Sequence, residues 1–117
     1  MIGGFYIIKI VKTPKTPYYA VIFTSIRILG DNGYGKVGDE IVNIVSKEKG
    51  FLGAESISDE DRFGMTISYW DSLESISSWK NNSHHMSAKE MGKKMWYSKY
   101  MIRICKVESD NYFENNF

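Results

Sequence analysis

The chain has 117 residues, 43% of them hydrophobic and 25% charged, with a formal net charge of +1. That suits one ordinary soluble domain with its own core and gives no overall field to gather nucleic acid or anionic membrane. No apolar run approaches the roughly 20 residues that span a bilayer, and a single Cys105 excludes an internal disulfide and a thiolate zinc site, as a reducing cytoplasm would favour.

The N-terminal segment "MIGGFYIIKIVK" has no basic residue ahead of its apolar part, carries Lys9 inside it and lacks a small-residue cleavage site, so it reads as no export signal. Pro14 and Pro17 each lack a donor N–H and push the preceding residue towards extended geometry. Residues 1–17 are therefore expected to form an arm, with "FYIIKIV" as an extra edge strand. "YYAVIFTSIRI", 18–28, is β-branched and aromatic and apolar on both alternating faces, with Ala20, Ile22, Ile26 and Ile28 on one and Tyr19, Val21 and Phe23 on the other. This is the pattern of a central strand covered on two sides.

After the Gly- and Asn-rich turn "GDNGYG", apolar residues recur at steps of three and four from Tyr34 through Val37, Ile41, Ile44 and Val45, predicting an amphipathic helix that stops at Gly50. "FLGAESIS", the polar turn "DEDR" and "FGMTISYW" read as a hairpin, with Phe63, Met65, Ile67 and Tyr69 on one face of its second strand. Asp71 as N-cap and Glu74 three residues later make a capping box for a short helix bearing Leu73, Ile76 and Trp79. "NNS" breaks it, a further helix runs from about 84 to 97, "YMIRICKV" is the last strand, and the polar tail from 109 is expected to fray. The order β-α-β-β-α(α)-β over 18–108 is that of an α+β ferredoxin-like fold, with a four-stranded antiparallel sheet and helices on one face. The other face is apolar too and needs covering, for which a second copy, as a homodimer, is the simplest partner.

The densest chemistry lies in "SSWKNNSHHMSAKEMGKKMWYSKY", 77–100. At 100° per residue His85, Gly92 and Trp96 fall on one line of a helix, with Ala88, Met95, His84 and Met91 beside it and Lys89, Glu90, Lys93 and Lys94 opposite. Most of that density is a core stripe. Adjacent His84 and His85 project about 100° apart and do not chelate one metal. An imidazole at the centre of an apolar face must satisfy two ring nitrogens. Two roles fit His85: bonded to a carbonyl or hydroxyl within the core, or a general base of near-neutral pKa for a phenolic or enolic substrate, in a pocket opened by Gly92. Trp79, Trp70, Tyr69 and Trp96 are core residues or the walls that stack an aromatic ligand. Glu55 and Arg103 are charges in apolar strands and call for partners, between subunits in the dimer.

The stretches "PYYAVIFTS", "GFLGAES", "ISYWDSLESISSWK" and "WYSKYMIRICKVE", together with the spaced set Trp79, His85, Ala88, Gly92, Trp96 and Tyr97, resemble the antibiotic biosynthesis monooxygenase (ABM) family of dimeric α/β barrels over residues 17–108. The resemblance implies a small homodimer and a small-molecule substrate. In some members it implies oxidation of aromatic substrates by O2 without metal or flavin, and in others degradation of haem. Trp70 and Trp79 match a pair in the haem-degrading branch. That branch's strand Asn is here Thr24 or Ser25, and its axial His is here Lys89. Three functions are carried forward: a cofactor-independent oxygenase with His85 as base and Trp79 and Tyr97 shaping the pocket; a haem protein using His85 or His84 as axial ligand; and a non-enzymatic ligand-binding or stress-related module.

Overall fold

The computed structural model describes residues 10–117. Strand β1 (Tyr18–Arg27) is followed by α1 (Tyr34–Val45), the hairpin β2 (Phe51–Ser58) and β3 (Phe63–Trp70), α2 (Leu73–Lys80), α3 (Ser83–Met91), a π-helical turn (Gly92–Trp96) and β4 (Tyr97–Val107). The four strands form one antiparallel sheet in the order β2-β3-β1-β4, with β1 central, as its two apolar faces require. This is the expected ferredoxin-like α+β arrangement. Most of the expected edge strand "FYIIKIV" lies outside the described residues. Val11 is described, and its N–H donates to the Glu55 carboxylate at 2.9 Å, which ties the arm to β2. The beginning of the tail is also held, since Asp110 accepts from the Tyr18 hydroxyl at 2.7 Å.

Register divides the sheet into two faces. Val21 and Phe23 of β1 stand opposite Ser68 and Thr66 of β3 and opposite Ile104 and Ile102 of β4. This row faces the helices, where Val21, Ile41, Val45, Trp70, Ile76 and Trp79 join one buried cluster. Met65, Ile67 and Tyr69 share the outer face with Ile22, Met101 and Arg103. The inward side of β3 is thus its polar side, anchored by Trp70, whose indole N–H donates to Ser68 Oγ at 2.9 Å.

Several boundaries differ from the expected ones, for local reasons. α1 ends at Val45, and Gly50 sits in the following turn at φ +89°, where a Cβ would run into Ser75 and Asp71. α2 is capped by Ser72, whose Oγ accepts the Ser75 N–H at 3.1 Å, while the Asp71 carboxylate accepts from the Ser75 hydroxyl at 2.7 Å. The serine one residue further on is the cap. The last predicted helix closes α-helically at Met91 and finishes in the wider turn to Trp96.

Candidate functional site

A cavity of about 370 Å³ lies between the inward face of the sheet and the α2–α3 layer. That is within the range of small-molecule sites, toward its lower end. Its floor is Val21, Phe23, Ser68 and Trp70, and its roof is Ile76, Trp79, His85, Ala88 and Trp96. Along β4 it is bounded by Tyr97, Tyr100, Ile102 and Ile104. Among the described residues no helix seals that side, and Ile102 and Ile104 stay 40% and 47% exposed although they face inward.

His85 is placed by the cap of its own helix. The Asn82 side chain accepts the backbone N–H groups of His84 and His85 at 2.9 and 3.2 Å, so α3 begins with His85 turned into the layer and His84 left at the surface. The His85 ring lies flat on Trp79, centroids 4.8 Å apart at 17°, and Trp79 stacks in turn on Trp70 at 6.5 Å and 29°. Nδ1 of His85 is 3.3 Å from the Trp79 carbonyl oxygen. A carbonyl can only accept, so Nδ1 carries the hydrogen and Nε2 is the basic nitrogen. Burial holds the imidazolium form well down, to a pKa of about 4, partly offset by the carbonyl and aided by the charge of Lys89. This is lower than the near-neutral value expected from sequence, because desolvation outweighs the hydrogen bond to the Trp79 carbonyl.

The other residues singled out divide. Trp70, Trp79, Trp96 and Tyr97 meet at the cavity. Trp96 is held there by its indole N–H, donated to the Asn32 carbonyl at 2.9 Å, and Tyr97 approaches the Tyr34 hydroxyl at 3.4 Å. Burial pushes the Tyr97 phenol up, so it remains a protonated donor. Tyr69 is on the opposite side of the sheet and donates to Glu55 at 2.6 Å. It forms no part of the cavity wall. Gly92 does not open space beside His85 either: a Cβ there would come 3.0 Å from the Tyr97 ring, which already occupies the gap. Met95 is 37% exposed, because the wide turn moves it off the stripe. Lys89, expected on the solvated side, lines the cavity together with Lys80.

Phe23, Tyr100, Ile102 and Ile104 were not among the predicted site residues. Their signal is the β1–β4 register, which sets alternate residues of the last strand opposite Val21 and Phe23, and that pairing is not readable before the strands are aligned. Trp79 Nε1 is buried and finds no acceptor among the described residues. An unmet donor of this kind carries a free-energy cost that an acceptor on a bound molecule relieves. The haem-degrading pattern does not fit: Thr24 is on the outer face, Ser25 is buried away from the cavity wall, and Lys89 stands at the axial place.

No family model matches the chain. Over 105 residues it is 43% identical to the uncharacterized protein YqjZ of Bacillus subtilis (strain 168), spanning 90% of this chain and 92% of that one. The chain belongs to the YqjZ family. Its fold is that of the antibiotic biosynthesis monooxygenases. SnoaB, a cofactor-independent oxygenase from Streptomyces nogalater, superposes with a TM-score of 0.69 at 6% identity over 80% of this chain and 93% of its own. A solved antibiotic biosynthesis monooxygenase gives 0.65 at 10% identity over 80% and 99%. At such identities these likenesses concern the fold, and the YqjZ-family site rests on its own residues. Among the described residues no helix is long and apolar enough to cross a membrane, and no three His, Cys, Asp or Glu gather as metal ligands.

Proposed function

We propose that this YqjZ-family protein is a cofactor-independent oxygenase of a small aromatic or quinol-like metabolite, with His85 as general base and Trp70, Trp79, Trp96 and Tyr97 as the walls that hold the ring. The observation that carries this reading is His85 in the wall of an aromatic cavity large enough for a ring system, with its Nδ1 engaged by a carbonyl so that Nε2 is basic. A phenolic O–H, or an enolisable ring CH2, would give its proton to that nitrogen, leaving an anion with charge on ring carbon, and the imidazolium later returns the proton to the peroxide. The carbanion passes one electron to O2, and the resulting radicals combine into a peroxide at carbon. Loss of water then turns a ring CH2 into C=O, with one oxygen atom retained and the other released as water. An imidazole of pKa about 4 is a weak base in the empty site. It holds the proton well only while the substrate anion lies beside it, so proton transfer is coupled to binding. A likeness of fold to SnoaB, an oxygenase that uses no cofactor, supports the same reading.

The test is O2 uptake on a panel of hydroquinones and naphthols. Replacing His85 by Ala or Gln is expected to lower turnover by on the order of 100- to 10,000-fold with folding nearly intact. A stability loss of about 1–3 kcal/mol in the Ala variant, with turnover unchanged, would instead leave His85 as a core residue.

The functional unit is proposed to be a cytoplasmic homodimer. The outer sheet face offers half-buried Ile22, Met65 and Ile67 beside Met101 and Ile57, which are 53% and 72% exposed. Light scattering should give a mass near twice 13.5 kDa. A stable monomer at micromolar concentration would contradict it.

A further inference from the structure

The cavity is unequal in charge. Among the described residues that line it, two are lysines, Lys80 at the end of α2 and Lys89 in α3, and none is a carboxylate. The two lysines come from different helices, both line the cavity and both are exposed, so their charged ends are solvent-accessible at its wall. Among the described residues neither forms an ion pair. The neighbouring cations Lys93 and Lys94 are exposed as well but take no part in the cavity. A place in the cavity wall is therefore a property of these two positions and not of a basic strip as a whole.

Inside the rim the walls are rings and aliphatic side chains with a neutral imidazole, and none of them can balance an ionised group. Among the described lining residues, an anionic group on a ligand finds opposite charge at Lys80 and Lys89. Lys89 is one helical turn beyond His85, close enough for its charge to act on that imidazole, so the rim and the proposed reacting centre are adjacent. We propose that the cavity selects an aromatic acid: a flat hydroxylated ring system inserted between the indoles and the β4 side chains, with a carboxylate on its edge held by Lys80 and Lys89. This rests on the aromatic-substrate reading above and adds the anionic group. Long ammonium side chains lying over apolar surface, heads toward water, suit such a rim, since they cover the ring while meeting the carboxylate.

Calorimetric titration of the full chain with 1-hydroxy-2-naphthoate and with 1-naphthol, at low salt and neutral pH, separates the two claims. The naphthoate is expected to bind on the order of fivefold to thirtyfold more tightly, from two partly solvated ion pairs, and the gap should narrow as NaCl is added. The double variant Lys80→Gln, Lys89→Gln should lose the preference, whereas Lys93→Gln, Lys94→Gln should keep it. Equal affinities in the unaltered protein, or a preference that survives the Lys80/Lys89 change, would overturn the aromatic-acid proposal. With equal affinities and O2 uptake on naphthol, the oxygenase reading stands without it. Binding of neither compound removes both.

Discussion

Helix α1 and the α2–α3 pair cover the same sheet, yet one half of the layer is solid and the other hollow. α1 supplies the branched aliphatic residues Ile41 and Val45, each 2% exposed, and none of its residues lines the cavity. α2 and α3 supply the indole of Trp79, the small Ala88 and an imidazole. Branched side chains interdigitate and fill volume, whereas rings stacked as Trp70, Trp79 and His85 are stacked leave a slot along their edges. The strand beneath differs too, because among the described residues no helix lies over Ile102 and Ile104 of β4. Stability and binding are thus expected to reside in different halves of one layer.

Truncation on the solid side is expected to give the largest effect on folding. Ile41→Ala should cost about 2–5 kcal/mol in thermal or denaturant unfolding, by lost burial and a cavity that cannot fully collapse. Naphthol affinity should not change. Enlarging a residue on the hollow side should do the reverse: Ala88→Leu is expected to change stability by less than about 1.5 kcal/mol, because the added carbons enter existing space, while abolishing ring binding. If Ala88→Leu destabilises as much as Ile41→Ala, the two halves are equally packed and the contrast fails.

Acid should act through the hollow half. His85 has a pKa of about 4 in the folded chain against 6.5 when solvated. Above pH 6.5 both states are neutral, and between 6.5 and 4 the unfolded chain takes up a proton that the folded one refuses. Stability therefore falls as pH is lowered through that window, by roughly 3 kcal/mol at most, at 1.36 kcal/mol per pKa unit. Unfolding midpoints of His85→Gln across pH 4–7 should show a shallower decline than the parent. Parallel declines would place the acid sensitivity elsewhere.

The smallest effect is expected on the far side of the sheet. Tyr69→Phe removes the hydrogen bond to Glu55, which also accepts from Val11, and should cost about 1 kcal/mol. Ligand affinity should be unaltered. A loss of binding would connect the two sheet faces in a way that their separation by the backbone does not suggest.

Much of this architecture can be read from residue types alone. The two-sided apolar run of β1 predicts a central strand, and the polar break between "FLGAESIS" and "FGMTISYW" predicts the hairpin. Placement of the site is harder. Period-two alternation separates Met65, Ile67 and Tyr69 from Thr66, Ser68 and Trp70 but does not say which set is inward, and the more apolar set is the outer one. Tyr69 belongs to that outer set and so lies across the sheet from this cavity. A helical wheel assumes 3.6 residues per turn, so it carries His85 and Ala88 to the right face and then drifts at Met95, where the turn widens. Lys80 and Lys89 look like solvated cations in any window of sequence. It takes the packing of α2 and α3 on the sheet to bring both into the wall of one cavity.

That widened turn also sets the phase of everything after it. A stretch of five residues with one more per circuit than an α-helix needs behaves like an insertion absorbed without a bulge. Winding the same five residues at 3.6 per turn would instead rotate Trp96 and Tyr97 by about 100° about the helix axis. Trp96 would then leave the Asn32 carbonyl and Tyr97 would turn from the cavity wall. The entrance into β4 would have to shift by one position, exchanging its inward and outward side chains. The shape of the slot and the register of the last strand are therefore fixed by one and the same count of residues.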